Sequence, residues 1–475
     1  MKLNLLFLND VHGYLEPHND LFYSNNGVHT ELAGGYARLF SAINNIRREN
    51  PYTLLFDGGD TFHGTLPLVQ SKGEAVVPIL RKFDFNAMVG HWDFGYGPDQ
   101  LENLLSQLNY PMLGVNVFRA DGTLFLKPYI IKQVGEIKVG VAGICANIID
   151  KTMPEKFSRG LKITSGLDEL PLYIDKMKKE GADIIVLLSH NGFPQDVHIL
   201  SQVDGVDVCL SAHTHNRLYQ PVIVNNTLII QCGCHGTFLG HLELDVNKKQ
   251  IVSHSYRLLK MDHQMESDKE MEKLVNDAVK PFKELKRNVV GYTSHILHRY
   301  STLNSTMDNF MLAAIRHASN TEIAFSNGWR YGAPIASGEI TEMDLYNIIP
   351  MNPPISTVEM TGIEIREMLE ENLERTFSVD PLGQMGGYVK RCSGLRVNFR
   401  VENPVNHRIQ EIYYNDKHLQ PDKYYKVSYV TTQGVPPDIG RNREELNTNA
   451  VDAMKNYLKE NPHYNGAEKD AFFLV

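Results

Sequence analysis

An α/β fold in two domains is the class this sequence predicts, and three observations carry that prediction. Apolar runs of strand length alternate with helical stretches through the first half of the chain. A chain of 475 residues also exceeds what one ordinary core organises. Finally, a charged, amphipathic stretch after residue 260 separates this half from a second one with helices and strands of its own.

The elements follow in order. Residues 3–8 read as a buried strand rather than a signal segment, because the run passes straight into Asn9-Asp10-Val11-His12 without a small-residue cleavage site. Further strand-like runs fall at 53–56, 87–89, 138–144, 183–189, 206–211 and 228–232. Residues 261–287 read as a single connector helix. Beyond it, helices are expected at 304–318, 341–348 and 362–376, and strands at 355–360, 394–400 and 424–430. The domain reading is therefore 1–260, a connector over 261–287, and 288–475.

Composition narrows the function classes. Hydrophobic residues make up 42% and charged residues 22%, with no biased tract, the profile of a soluble globular protein. A net charge of −9 supplies no basic field for a nucleic-acid backbone, so the expected partner is a small molecule and not polymeric nucleic acid. No run approaches 18 apolar residues, so no membrane span is expected, and the expected location is cytoplasmic, or secreted if a signal peptide precedes the sequence. The five cysteines are odd in number and lie in apolar surroundings, which reads as core thiols.

Ligand-type side chains collect where the N-terminal strands end. Asp10-Val11-His12 follows the first strand, Gly58-Gly59-Asp60 the second and Gly90-His91-Trp92-Asp93 the third. Ser189-His190-Asn191-Gly192 and Ala212-His213-Thr214-His215 follow two later ones. A single histidine in such a place is more often a satisfied polar residue than a ligand. Five strand ends, each delivering a carboxylate or imidazole, point to a divalent-metal site, since the sites of α/β layers lie at the carboxyl ends of their strands.

These motifs resemble those of the calcineurin-like metallophosphoesterases, and more narrowly the bacterial 5′-nucleotidase family, marked by D-x-H, G-D-x-x-x-G, G-N-H-[DE], His-x-Gly and G-H-x-[HQ] in this order. Residues 230–236, 338–341, 345–350 and 393–395 are similar to later segments of that family. The resemblance implies a four-layer α/β/β/α sandwich followed by a smaller substrate domain. It implies two divalent ions, one held by Asp10, His12 and His215, the other by His190 and His213, with Asp60 bridging. His91 stands where the family has an asparagine ligand, which shifts preference toward manganese, zinc or iron and away from magnesium. His91 and Arg330 are the candidate catalytic residues, and Arg330, Tyr388, Arg391 and Arg396 the candidate contacts to an anionic substrate.

Departures from the pattern are informative. The family's histidine after that asparagine, and an aspartate three residues later, form a dyad that assists the transition state; here those positions are Trp92 and Gly95. An indole does not shuttle a proton at neutral pH. His63 and His241 are the remaining imidazoles with the chemistry to replace the missing acid. The variant at 90–97, and the one at 325–332, look more like SoxB, the thiosulfohydrolase branch of the superfamily. The expected activity is hydrolysis of phosphate esters, nucleotides or related phosphorylated small molecules. The alternatives are a SoxB-like thiosulfohydrolase and a weakly active binding protein; retention of every metal-ligand position favours the enzyme.

Overall fold

A computed structural model describes residues 1–25, 27–466 and 469–475. The chain forms two compact units: Met1–His18 with Leu32–Lys280, and Asn19–Glu31 with Pro281–Val475.

Beside a two-stranded sheet of Val117–Arg119 and Leu161–Ile163, two large sheets build the first unit. One runs in the order Gln250–Lys260, Phe238–Asn247, Lys2–Leu8, Thr53–Asp57, Ala87–Met88, the last three parallel. The other runs Val222–Val224, Thr227–Ile230, Val208–Ser211, Ile184–Ser189, Ile137–Ile144, Tyr129–Val134, with its four inner strands parallel. Every residue of Ile184–Ser189 is buried, as a strand enclosed on both faces must be. Ile185 and Leu187 pack beneath helices Leu170–Lys179 and Phe193–Leu200 with Ile174, Met177 and Ile199. Helix Tyr36–Glu49 buries Tyr36, Leu39 and Ile43, the single stripe an amphipathic helix turns to a core. At Gly240 the sheets approach so closely that a Cβ would lie 2.4 Å from the Cys232 sulfur. All five cysteines are buried free thiols.

The second unit has a five-stranded sheet in the order Arg391–Ser393, Ile323–Ser326, Tyr424–Val430, Pro354–Thr361, Arg441–Asn449, and smaller sheets of four and three strands. Helices Thr306–Ser319, Glu342–Ile348 and Gly362–Phe377 match their expected positions. Their starts are fixed chemically: Ser305 caps the first, and Thr341 and Thr361 form capping boxes with Asp344 and Glu364. A two-stranded sheet, His18–Ser24 with Gly27–Ala33, has no counterpart among the expected strands; Asp20 within it accepts a 2.7 Å hydrogen bond from the Tyr300 hydroxyl.

One expectation needs correction. The connector is not one helix over 261–287: a helix spans Lys269–Val279, capped by Asp268, a 3-10 turn covers Lys280–Phe282, and a short helix follows at Lys283–Arg287. Pro281 is the cause, since it lacks the amide proton that would continue the helical hydrogen-bond ladder. The strand expected at 394–400 is present as Arg396–Phe399, and a further strand, Arg391–Ser393, precedes it in a different sheet. Between them Gly394 takes φ 89°, and a Cβ there would sit 1.9 Å from the Glu322 carbonyl oxygen.

Candidate metal centre

The loops that leave the parallel strands turn sharply enough to gather their side chains at one point. Asp10, His12, Asp60, His213 and His215 all have positive φ, between 51° and 72°, although none is glycine. Such conformations cost energy and persist where the surroundings over-determine them. Backbone bonds tie the loops together: Asp10 N to Gly59 O at 2.9 Å, His12 N to Asp60 O at 2.8 Å, and His235 N to Asp10 O at 2.7 Å.

Two overlapping groups of ligand atoms result, each within 4.8 Å: Asp60, His91, His190 and His213, and Asp10, His12, Asp60 and His215. Asp60 belongs to both. Its Oδ2 lies 3.4 Å from His12 Nε2 and 3.4 Å from His190 Nε2, and its Oδ1 lies 3.5 Å from His91 Nδ1. His215 Nε2 is 3.3 Å from Asp10 Oδ1 and 3.3 Å from His12 Nε2. The structure thus brings together all seven residues expected as metal ligands.

The donor set fits divalent ions. His91 Nδ1 and His190 Nε2 are buried and make no hydrogen bond, a cost of about 1–3 kcal/mol each that a cation would relieve. Burial pushes the Asp60 carboxyl up, but His190, His91 and His12 outweigh it and hold the group well below the usual carboxylate range. Burial lowers His12 to about 4. His190 is pulled down by burial too, yet Asp60 and Asp10 raise it to about 9.

A supporting shell orients these ligands. His190 Nδ1 donates to Gly58 O at 2.5 Å and His12 Nδ1 faces His63 O at 3.3 Å, which leaves each Nε2 for a metal. Asn9 Nδ2 donates to Asp10 Oδ2 at 2.6 Å. Asp93 accepts four main-chain amides, from Asp60, Thr61, Phe62 and His91, at 2.9 to 3.2 Å. In the sequence Asp93 is only part of a motif; its role depends on a loop about thirty residues away and leaves no local signal.

Of the two substitute acids, His241 lies on strand Phe238–Asn247, bonded to Asn4 and Arg257, and takes no place among the metal ligands. His63 stacks on Trp92, and burial lowers it to about 3.

The substrate candidates all lie in the second unit. Arg330 and Arg391 approach the Tyr388 ring with their guanidinium carbons 5.0 and 5.4 Å from its centre. Arg391 is buried and already committed, to Asp308 at 3.1 Å and to the carbonyls of Ser301 and Thr302. Arg396, displaced into another sheet by the Gly394 turn, is exposed and lies over Phe473 at 4.8 Å. Tyr388 therefore gathers Arg330 and Arg391, but not Arg396. Fully buried Arg299, which shares Asp308 with Arg391, escapes a sequence reading because a lone arginine reads as surface.

The family profile for calcineurin-like phosphoesterases matches residues 3–217, and that for the 5′-nucleotidase C-terminal domain matches 289–433. Calcineurin-like metallophosphoesterases use a dinuclear divalent-metal site, and the shared-aspartate centre at the strand ends supplies two candidate ligand groups for one. With both domains present in order, the chain belongs to the 5′-nucleotidase family of these enzymes and is a metal-dependent phosphoric monoester hydrolase. It is 24% identical to the trifunctional nucleotide phosphoesterase YfkN of Bacillus subtilis over 82% of this chain, but spans only 29% of that longer protein. It is 26% identical to the Bos taurus 5′-nucleotidase over 90% of this chain and 82% of that one. Among solved structures, Thermus thermophilus sulfate thiohydrolase SoxB superposes with a TM-score of 0.92 at 23% identity, covering 100% of this chain and 96% of that one. The 5′-nucleotidase precursor of Thermus thermophilus gives 0.88 at 21%, covering 100% and 99%. Among the described residues no helix is long and apolar enough to cross a membrane.

Proposed function

We propose that this chain hydrolyses phosphate monoesters of nucleotide-like small molecules, using manganese, zinc or iron in preference to magnesium. The observation that carries the reading is Asp60, one carboxylate shared by two groups of buried ligand atoms. Asp10, His12 and His215 would hold one ion and His91, His190 and His213 the other, with Asp60 between them. Five imidazoles against two carboxylates suit the later first-row metals better than magnesium, which prefers oxygen. Two such ions, when bound, acidify a shared water and neutralise charge on the phosphoryl oxygens. The protein's own contribution is to fix the ligands through strained loops and buried second partners, and to exclude bulk water from around them. In the second unit Arg330 is the arginine we assign to the substrate anion, with the Tyr388 ring beside it as a planar contact; Arg391 holds Asp308 instead.

The test is phosphate release from AMP and 4-nitrophenyl phosphate by chelator-stripped protein reloaded with single metals. Restoration by manganese, zinc or iron, and not by magnesium, is expected. Equal release without any metal overturns the reading. One observation favours a second reading, hydrolysis of a thiol-linked sulfur oxyanion: Trp92 and Gly95 stand where the nucleotidases keep their proton-transferring dyad. Sulfate release from an S-sulfonated thiol, with no phosphate release from either ester, selects it.

A further inference from the structure

Four side chains outside the candidate ligand groups form a single aromatic assembly at their edge. The Trp92 indole lies on the His63 imidazole with ring centres 4.8 Å apart and planes 23° from parallel, a stacked pair. Phe157 meets the indole edge-on at 6.2 Å and 68°. Behind His63, the Tyr96 ring is 5.8 Å away and its hydroxyl is anchored to the carbonyls of Phe62 and Leu68. His63 and Phe157 are buried, whereas Trp92 is only half-buried. The Trp92 main chain is bonded directly to a ligand, its N–H reaching Asp60 Oδ1 at 2.7 Å, and its ring centre is 5.9 Å from that of His91.

Gly95 explains how this assembly fits. A Cβ there would make van der Waals contact with His63 Cδ2 at 3.4 Å and Phe157 at 3.7 Å, so a side chain at position 95 would start against the ring on which Trp92 rests. The tryptophan, the glycine and the buried histidine thus pack as one braced aromatic plane.

We propose that the Trp92 indole is a binding platform for the leaving group, and that it selects phosphate esters of aromatic alcohols. The inference rests on the phosphoesterase reading above and names the substrate class of that same site. Stacking of an aryl ring on the indole supplies selectivity of about three- to tenfold. The same class suits a site without an acid at positions 92 and 95, since a phenolate departs without being protonated and an alkoxide does not. Burial of His63, and the anchored Tyr96 behind it, hold the indole plane in place before substrate arrives, so that little ordering is left for binding to do.

The chain has two tryptophans, Trp92 and Trp329, so Trp329→Phe leaves Trp92 as the sole indole fluorophore. In that variant, loaded with zinc, 4-nitrophenylphosphonate should quench the emission saturably and methylphosphonate should not. In an otherwise wild-type background, Trp92→Leu should lower the ratio of kcat/KM for 4-nitrophenyl phosphate to that for acetyl phosphate about tenfold, mainly through KM, and Trp92→Phe should recover most of it. An unchanged ratio in Trp92→Leu, or unquenched emission with the aryl ligand bound, overturns the platform. Should neither phosphate be hydrolysed by the metal-loaded wild type, the phosphoesterase reading fails, while the quenching titration still decides whether Trp92 binds the aryl group.

Discussion

Asp93 lies directly against the loop that carries Asp60: its Oδ2 accepts the Asp60 amide at 2.9 Å, and its Oδ1 those of Thr61 and Phe62 at 2.9 and 3.0 Å. The position of Asp60 between the two candidate ligand groups is therefore set by a second carboxylate that belongs to neither group. Asp93→Asn keeps the shape but turns an amide toward two buried N–H donors. It should cost about 2–4 kcal/mol of stability in a denaturant titration and weaken metal affinity about 10- to 100-fold by competition with a chelator.

Asp60 and His215 should differ in how much metal they govern. Asp60→Asn touches both ligand groups and should leave less than about one ion per chain, whereas His215→Ala empties one group and should leave roughly one. Elemental analysis after gel filtration measures both. Full occupancy in Asp60→Asn removes its bridging role.

Rebuilding the dyad should fail unless His63 is also removed. In Trp92→His the new imidazole has no carboxylate partner, and in Trp92→His with Gly95→Asp the new side chain starts with its Cβ 3.4 Å from His63 Cδ2 and must share space with that ring. Hydrolysis of alkyl phosphates should rise by more than about tenfold only when His63→Ala is added, out of the about 10²–10⁴ that a general acid supplies. A rise of that size in Trp92→His alone contradicts the steric account.

Arg330 and Arg391 flank one ring but should behave oppositely. Arg391→Ala strips a buried partner from Asp308 and should cost about 3–5 kcal/mol of stability. Arg330→Ala should cost less than about 1 kcal/mol and raise KM for a phosphate ester about tenfold or more. Thermal denaturation together with steady-state kinetics separates the two.

Lys390 gives the second unit a pH signature. Burial lowers its amine from 10.5 to about 8, where its Nζ donates to the carbonyls of Gln433 and Gly434. The folded state then holds the proton less tightly than the unfolded chain, so this group destabilises below pH 8 and the penalty is relieved as pH rises from about 8 to 10.5. The difference in unfolding free energy between wild type and Lys390→Met should change by about 3 kcal/mol across that window. A difference independent of pH excludes the shifted amine.

How much of this was written in the sequence follows from the range of the forces involved. Strand and helix positions were legible because periodicity and capping are local: the strand at Tyr424–Val430 matches its apolar run, and Gly362–Phe377 starts at its Thr361–Glu364 box. The seven residues of the two candidate ligand groups were legible because each follows a strand in a motif of fixed spacing, and parallel strands bring their carboxyl ends to one edge. The break at Pro281 is local too, yet the amphipathic pattern runs through it and hides it. What sequence order did not contain were relationships between loops far apart in the chain. Asp93 beneath Asp60, His63 beneath Trp92, and Arg299 with Arg391 around Asp308 are all pairings of buried polar or aromatic groups. A buried group must find its partner wherever packing leaves one, so only the tertiary structure decided that Arg391 serves the core, that Arg396 points elsewhere, and that a tryptophan at the metal centre rests on a histidine.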